Sequence, residues 1–225
     1  MGEIQIVEKG GRPSTPLRIA VFFSGSGTGM NALLIHQNRD ECIHRTVVCF
    51  TDKENAGGIE YAEQHKVPVV VETVDFNLPK EDRRLEHESR IRNKLDEFDV
   101  DLIVLSGYMR LLSADFVERY YPRIINIHPS LLPAFPGADA HTKVLASGVR
   151  VSGCTVHVVD SGMDSGPILA QRRVPVFDSD TRTLLSKRIQ VEEHQMYPEI
   201  IDLVCSGHRF GPVSYTHLTL PTNGC

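Results

Sequence analysis

Short apolar runs alternate along the chain with longer amphipathic stretches. Arg18-Ile19-Ala20-Val21-Phe22-Phe23 ends in a Gly/Ser cluster, the pattern of a buried strand. Met30, Leu33, Leu34 and Ile35 then share one side of a helix. The same reading predicts a strand over 46–50, a helix over 56–65 and a strand over 67–71. A charged helix follows over 80–98, with Leu85, Ile91 and Leu95 roughly in phase. Next come a strand over 101–105, a helix over 113–120 and a strand over 124–126. Segments 153–159 and 167–176 read as two further strands, and 181–204 as a last helix. Strands alternating with helices predict an α/β fold, a Rossmann-like, mostly parallel sheet flanked by helices. Residues 1–17 read as a polar leader, 18–204 as one domain and 205–225 as a tail, disordered or non-native.

Composition narrows the class. The chain has 225 residues, 41% hydrophobic and 24% charged, which excludes collagen, a long coiled coil and wholesale disorder. A domain of this size buries about 70% of its unfolded surface and needs no staple. The net charge is −5, without the basic footprint of a nucleic-acid binder. No apolar run has the length of a membrane span, and the opening residues lack the apolar core of a secretory signal. Five cysteines without metal or redox spacing read as reduced thiols in a cytoplasmic protein.

Two segments carry candidate chemistry. Ser24-Gly25-Ser26-Gly27-Thr28-Gly29-Met30-Asn31 joins the first strand to the first helix. Glycines there turn N–H groups toward an anion, and the helix N-terminus adds partial positive charge. The P-loop pattern is absent, and Met30 stands where a dinucleotide fingerprint needs its third glycine. A phosphorylated small molecule remains the natural guest, with a ligand-free tight turn as the plain alternative. The second segment is Asn126-Ile127-His128-Pro129. Strand alternation places the Asn126 amide and the His128 imidazole on one face, emerging together where Pro129 ends the pairing. An amide donates to a developing oxyanion, and an imidazole moves a proton near neutral pH. Asp164, in a turn-rich loop before a strand, is the candidate carboxylate, with Asp160 its rival and a self-capping turn the alternative for both. His128, His141, His157, His194 and Asp164 show no close ligand spacing, so no metal is expected. A nucleophile elbow, G-x-S-x-G, is absent.

SGSGTGMN, SGYMRLLS, NIHPSLLPAFPG, CTVHVVDSGMDSGPI and QVEEHQMYP together resemble the folate-dependent glycinamide ribonucleotide formyltransferases, over about residues 18–204. The resemblance implies that fold with antiparallel additions near the C-terminal end. It also implies formyl transfer from 10-formyltetrahydrofolate to the amine of a ribonucleotide, between small molecules only, by a monomer or homodimer without metal. It places the catalytic groups on Asn126, His128 and Asp164, and the phosphate loop on Gly27, Thr28, Gly29, Met30 and Asn31. The ribose-binding carboxylate falls on Glu193. Folate contacts fall on Tyr108, Met109, Arg110, Leu111, Leu112, Asp160, Met163 and Asp164, with Arg84 near the folate tail. The residues support Glu193 separately. It interrupts an apolar stripe of Leu185, Ile189, Tyr197 and Ile200, where a carboxylate needs a partner, a Lys or Arg being the plain one. Pro198 should leave the His194 carbonyl free and kink that helix beside Glu193.

The chain departs from the family's S-G-x-G-[ST]-N pattern, since Gly29 and Met30 stand between Thr28 and Asn31, and Asp139 stands where a His is frequent. A formyltetrahydrofolate deformylase is the nearest rival. It is expected to carry a regulatory segment ahead of the first strand and a His where Pro129 stands. A methionyl-tRNA formyltransferase would need an RNA-contacting C-terminal domain and basic charge. A non-catalytic nucleotide-binding module would keep the glycine loop without needing Asn126, His128 and Asp164 together.

Overall fold

The computed structural model describes residues 2–211. Its centre is a seven-stranded sheet built from β2 (Leu17–Phe23), β3 (His44–Thr51), β4 (Val69–Val71), β5 (Leu102–Leu105), β6 (Ile124–His128), β7 (Val151–Val158) and β8 (Ile168–Pro175). The spatial order is β4-β3-β2-β5-β6-β7-β8. The first five of these strands are mutually parallel, and β7 and β8 continue the sheet antiparallel. The fold class expected from the sequence is therefore the one observed.

Among the described residues six helices flank the sheet: α1 (Thr28–His36), α2 (Gly58–Gln64), α3 (Asp82–Glu97), α4 (Ala114–Tyr120), α5 (Ala140–Ser147) and α6 (Arg182–Cys205). Alternation along β2 divides the core. Ile19, Val21 and Phe23 join Leu33, Ile189 and Ile201 of α1 and α6 on one side. Ala20 and Phe22 join Ile91, Leu95 and Phe116 of α3 and α4 on the other. Because the chain runs outward from β2 to β4 and then returns beside β2 as β5, strand order reverses between β2 and β5. The crevice outside the carboxyl ends of such strands is where open α/β sheets bind ligands.

Several details differ from the sequence reading. α5 was not foreseen: its N-cap, Asp139, lies in the left-handed region at φ 58° and offers no side-chain cap, so no start signal marks it. Leu85, read as core-facing, is 51% exposed, and the inner positions of α3 belong to His87, Glu88, Ile91 and Leu95. Both polar groups are satisfied there. His87 Nε2 donates to Glu72 O at 2.8 Å, and Glu88 accepts from Ser113 N at 2.7 Å. The stretch read as a polar leader contains β1 (Ile4–Gln5), which pairs antiparallel with β9 (Arg209–Phe210) from the stretch read as a tail. Ile6 and Val7 are buried in the core. Two alternating apolar residues in a polar context were too short a pattern to register as an element. The rest of the tail, 212–225, lies outside the described residues. α6 runs unbroken through Pro198. Cys42, Cys49, Cys154 and Cys205 are free and buried.

Candidate active site

β6 carries Asn126 and His128 on one face, and its antiparallel pairing with β7 sets Asn126 opposite His157 and His128 opposite Thr155. Asn126 Nδ2 lies 3.1 Å from His157 Nε2, and His157 Nδ1 lies 3.0 Å from Val158 O. A carbonyl only accepts, so His157 carries its proton on Nδ1 and takes a hydrogen bond from Asn126 on Nε2. The second Asn126 N–H is left for a ligand. The sequence pattern offers His157 only as a candidate metal ligand. Its signal was the strand pairing that puts a histidine beside the amide.

Asp164 joins this group from the loop between β7 and β8. Its Oδ2 is 3.3 Å from His128 Nδ1 and its Oδ1 3.6 Å from His157 Nε2. Gly137 N donates to the same Oδ2 at 2.7 Å. The Asp164 backbone sits in the left-handed region at φ 53°, which aspartate tolerates better than most residues. At acid pH, where the rings are protonated, His157, the Gly137 N–H and His128 hold the Asp164 carboxyl down at about 2 despite its burial. His128 is pushed below its ordinary range by burial, opposed by the Phe135 carbonyl and Asp164. His128 Nε2 donates to Phe135 O at 2.9 Å, so at neutral pH its Nδ1 lone pair faces a carboxylate. A proton arriving on Nδ1 turns that contact into a charge-assisted hydrogen bond. The pair is built to receive one.

The glycine loop lies beside this group at the reversal point. Gly27 caps α1 at φ 71°, where a Cβ would fall 2.4 Å from Gly58 Cα, so only glycine fits. No side chain caps α1, whereas Ser113 and Thr181 cap α4 and α6. Asn31 N is bonded to Gly27 O at 2.8 Å, which leaves the N–H groups of Thr28, Gly29 and Met30 for a ligand. The Met30 side chain is fully buried against Cys49, so only its main chain faces the loop.

The neighbouring loop after β5 is tied on by Ser24 N to Gly107 O at 3.1 Å and Met109 N to Ser24 Oγ at 3.0 Å. It presents exposed apolar side chains, Met109 and Leu111, while Tyr108 and Leu112 pack on the core. Met163, also exposed, lies against Gly137 beside Asp164. Arg110 is partly buried in the same loop. Asp160 accepts from Gly162 N and Ser165 Oγ, capping its own turn. Arg84 is exposed on α3 and makes no ion pair or hydrogen bond among the described residues.

Glu193 lies on the inner side of α6. It forms no ion pair among the described residues, while Glu192 and Glu199 both pair with Arg172. The plain salt bridge falls to its neighbours, and burial pushes the Glu193 carboxyl up to about 7. Next to it, His194 Nε2 lies 3.3 Å from Thr28 Oγ1, bringing α6 against the first turn of α1.

His36, His44 and Asp202 are the one trio among the described residues with ligand atoms close enough for a metal ion. They sit at the amino ends of the strands, away from this site. Thr46 N donates to Gln37 Oε1, so Gln37 Nε2 must donate to His44 Nδ1 at 2.8 Å. His44 therefore keeps its proton on Nε2, where it donates to Asp202 Oδ1 at 2.8 Å, and has no lone pair there for a metal. Arg39 adds the positive charge at 2.9 Å. The trio anchors a carboxylate.

Residues 17–201 match the formyl transferase family model. The chain belongs to the formyl transferase family. It is 39% identical to a phosphoribosylglycinamide formyltransferase of Bacillus subtilis over 184 residues, covering 82% of this chain and 92% of that protein. It is 40% identical to the trifunctional purine biosynthetic protein adenosine-3 of Gallus gallus, covering 85% of this chain but only 19% of that longer protein. Among solved structures, a glycinamide ribonucleotide transformylase of Symbiobacterium toebii matches with a TM-score of 0.80 and 41% identity, covering 85% of this chain and 89% of that one. A phosphoribosylglycinamide formyltransferase of Brucella melitensis matches with a TM-score of 0.79 and 39% identity, covering 88% and 100%.

Proposed function

We propose that this chain transfers the formyl group of 10-formyltetrahydrofolate to the amine of glycinamide ribonucleotide, a step of purine biosynthesis. The observation that carries the reading is the contact of Asp164 with His128 beside a half-committed Asn126 amide, next to an uncapped helix N-terminus. The phosphate docks on the N–H groups of the Gly27–Asn31 turn, and the ribose hydroxyls meet Glu193. The pterin of the folate lies against the apolar side chains of Met109, Leu111 and Met163. The amine then faces the formyl carbon, and positioning supplies a large share of the acceleration.

Attack forms a bond from the amine nitrogen to that carbon and leaves a negative oxygen. The free Asn126 N–H donates to it, which at comparable sites contributes about 3 kcal/mol. The amine's proton passes to the His128–Asp164 pair, where Nδ1 meets a carboxylate that stays ionised. The imidazolium charge adds to oxyanion stabilisation. Collapse breaks the carbon–folate nitrogen bond, and the pair returns the proton to that nitrogen. No covalent enzyme intermediate and no metal takes part in this scheme.

We place the reaction in the cytoplasm, between small molecules and without nucleic acid or membrane, carried by a monomer or homodimer. Four buried free thiols suit a reducing compartment. No helix among the described residues is long and apolar enough to cross a membrane. The test is release of formyl from 10-formyltetrahydrofolate with and without glycinamide ribonucleotide. Formylated ribonucleotide should form only in its presence. Formate released without acceptor would instead identify a deformylase.

A further inference from the structure

Ser106 follows the last residue of β5 and is only 9% exposed. Its backbone N–H donates to Phe22 O, but its hydroxyl makes no hydrogen bond among the described residues. That hydroxyl stands over the first turn of α1. A Cβ built at Gly29 would lie 2.7 Å from Ser106 Oγ, so any side chain at residue 29 would displace it. Three other polar side chains around the turn are committed, while Ser26 is exposed to solvent. Ser24 Oγ accepts from Met109 N, Asn31 Oδ1 lies 3.2 Å from His65 Nε2, and Thr28 Oγ1 lies against His194. A hydroxyl left without a protein partner on so little exposed a residue is available to a ligand. Here it faces three N–H groups that also lack acceptors, so the missing ligand is rich in acceptor oxygens and negative.

We infer that Ser106 is a phosphate-binding residue, its hydroxyl donating to an oxygen of the ribonucleotide phosphate held on the N–H groups of the α1 turn, and that Gly29 is glycine to leave room for it. The inference rests on the proposed docking of phosphate at this turn. It also accounts for the chain's departure from the family's loop pattern. The residue after Thr28 contributes no side chain, and the side-chain donor comes from the loop after β5 instead.

The experiment compares glycinamide ribonucleotide with its dephosphorylated riboside as formyl acceptors, in wild type, Ser106→Ala, Gly29→Ala and the double variant. Loss of a hydrogen bond to a charged group should lower the Ser106→Ala preference for the phosphorylated acceptor about tenfold or more, mainly through KM. Gly29→Ala should lose preference comparably by pushing the hydroxyl aside, and the double variant should be no worse than the poorer single one. Equal losses on both acceptors, or no loss, while wild type still prefers the phosphorylated one, would overturn the role of Ser106 and leave phosphate docking intact. A wild type indifferent to the phosphate would overturn the docking reading itself. Melting temperatures, and KM for the formyl donor, separate a folding defect from loss of a phosphate contact.

Discussion

His128 shows how one ring is tuned by opposed neighbours. Burial pushes its titration below the ordinary histidine range, and Asp164 and the Phe135 carbonyl pull the other way. The ring is therefore neutral at rest yet has a carboxylate waiting 3.3 Å away for the proton it gains. An NMR titration of the His128 ring should show a midpoint below 6.5 in wild type and lower still in Asp164→Asn, because the variant removes a charge that favours imidazolium. A midpoint that rises in Asp164→Asn would contradict this electrostatic account. Asn126 and His128 were legible in the sequence because a strand's period of two forces them onto one face. Asp164 was legible only as one of two turn carboxylates, and the structure separates them, since Asp160 caps its own loop. His157 and Ser106 were not legible as site residues. Their places depend on strand pairing and on the approach of two loops, neither of which has a local pattern.

At the scale of elements, α6 links the core to the site. Leu185, Ile189, Tyr197 and Ile200 of its apolar stripe are buried, and Tyr197 donates to Leu105 O at 2.9 Å, at the end of β5, and to Ile125 O at 3.1 Å, within β6. That anchors α6 on the sheet one turn after Glu193. Its carboxyl titrates near 7 in the folded chain against an ordinary value of 4.5. The folded state thus holds a proton that the unfolded state gives up. The stability this contributes is full below about 4.5 and is lost as pH rises through about 7. Glu193→Gln removes the titration. Its melting temperature relative to wild type should climb as pH rises from 4.5 to 7.5, by about 2–4 °C for each kcal/mol, while ribonucleotide binding weakens. A pH-independent difference would show that the carboxyl is not perturbed. The stripe was legible from the helical period. α5 was not, because it is short and starts at an uncapped left-handed aspartate.

At the scale of the molecule, the order of the sheet brings the site together. β2 and β5 deliver the glycine loop and the Ser106–Leu112 loop to one end of the sheet, and β6 adds Asn126 and His128 alongside. At the far end of the chain's path, β1 and β9 close the first and last described segments on each other, with Ile6 and Val7 in the core. Burial of two such side chains contributes about 1.5–3 kcal/mol each. Deleting residues 1–8 should lower the melting temperature while leaving the chemistry of the distant site in place. An unchanged melting temperature would mean that this pairing adds nothing to the fold.

The convergence of Asn126, His128 and Asp164 on formyl transfer is tested most directly by single-turnover transfer in His128→Ala and Asp164→Asn, with ribonucleotide binding measured on the same proteins by calorimetry. Each variant should transfer formyl about 10²–10⁴-fold more slowly while binding ribonucleotide as wild type does. Transfer at the wild-type rate in either variant would contradict the account.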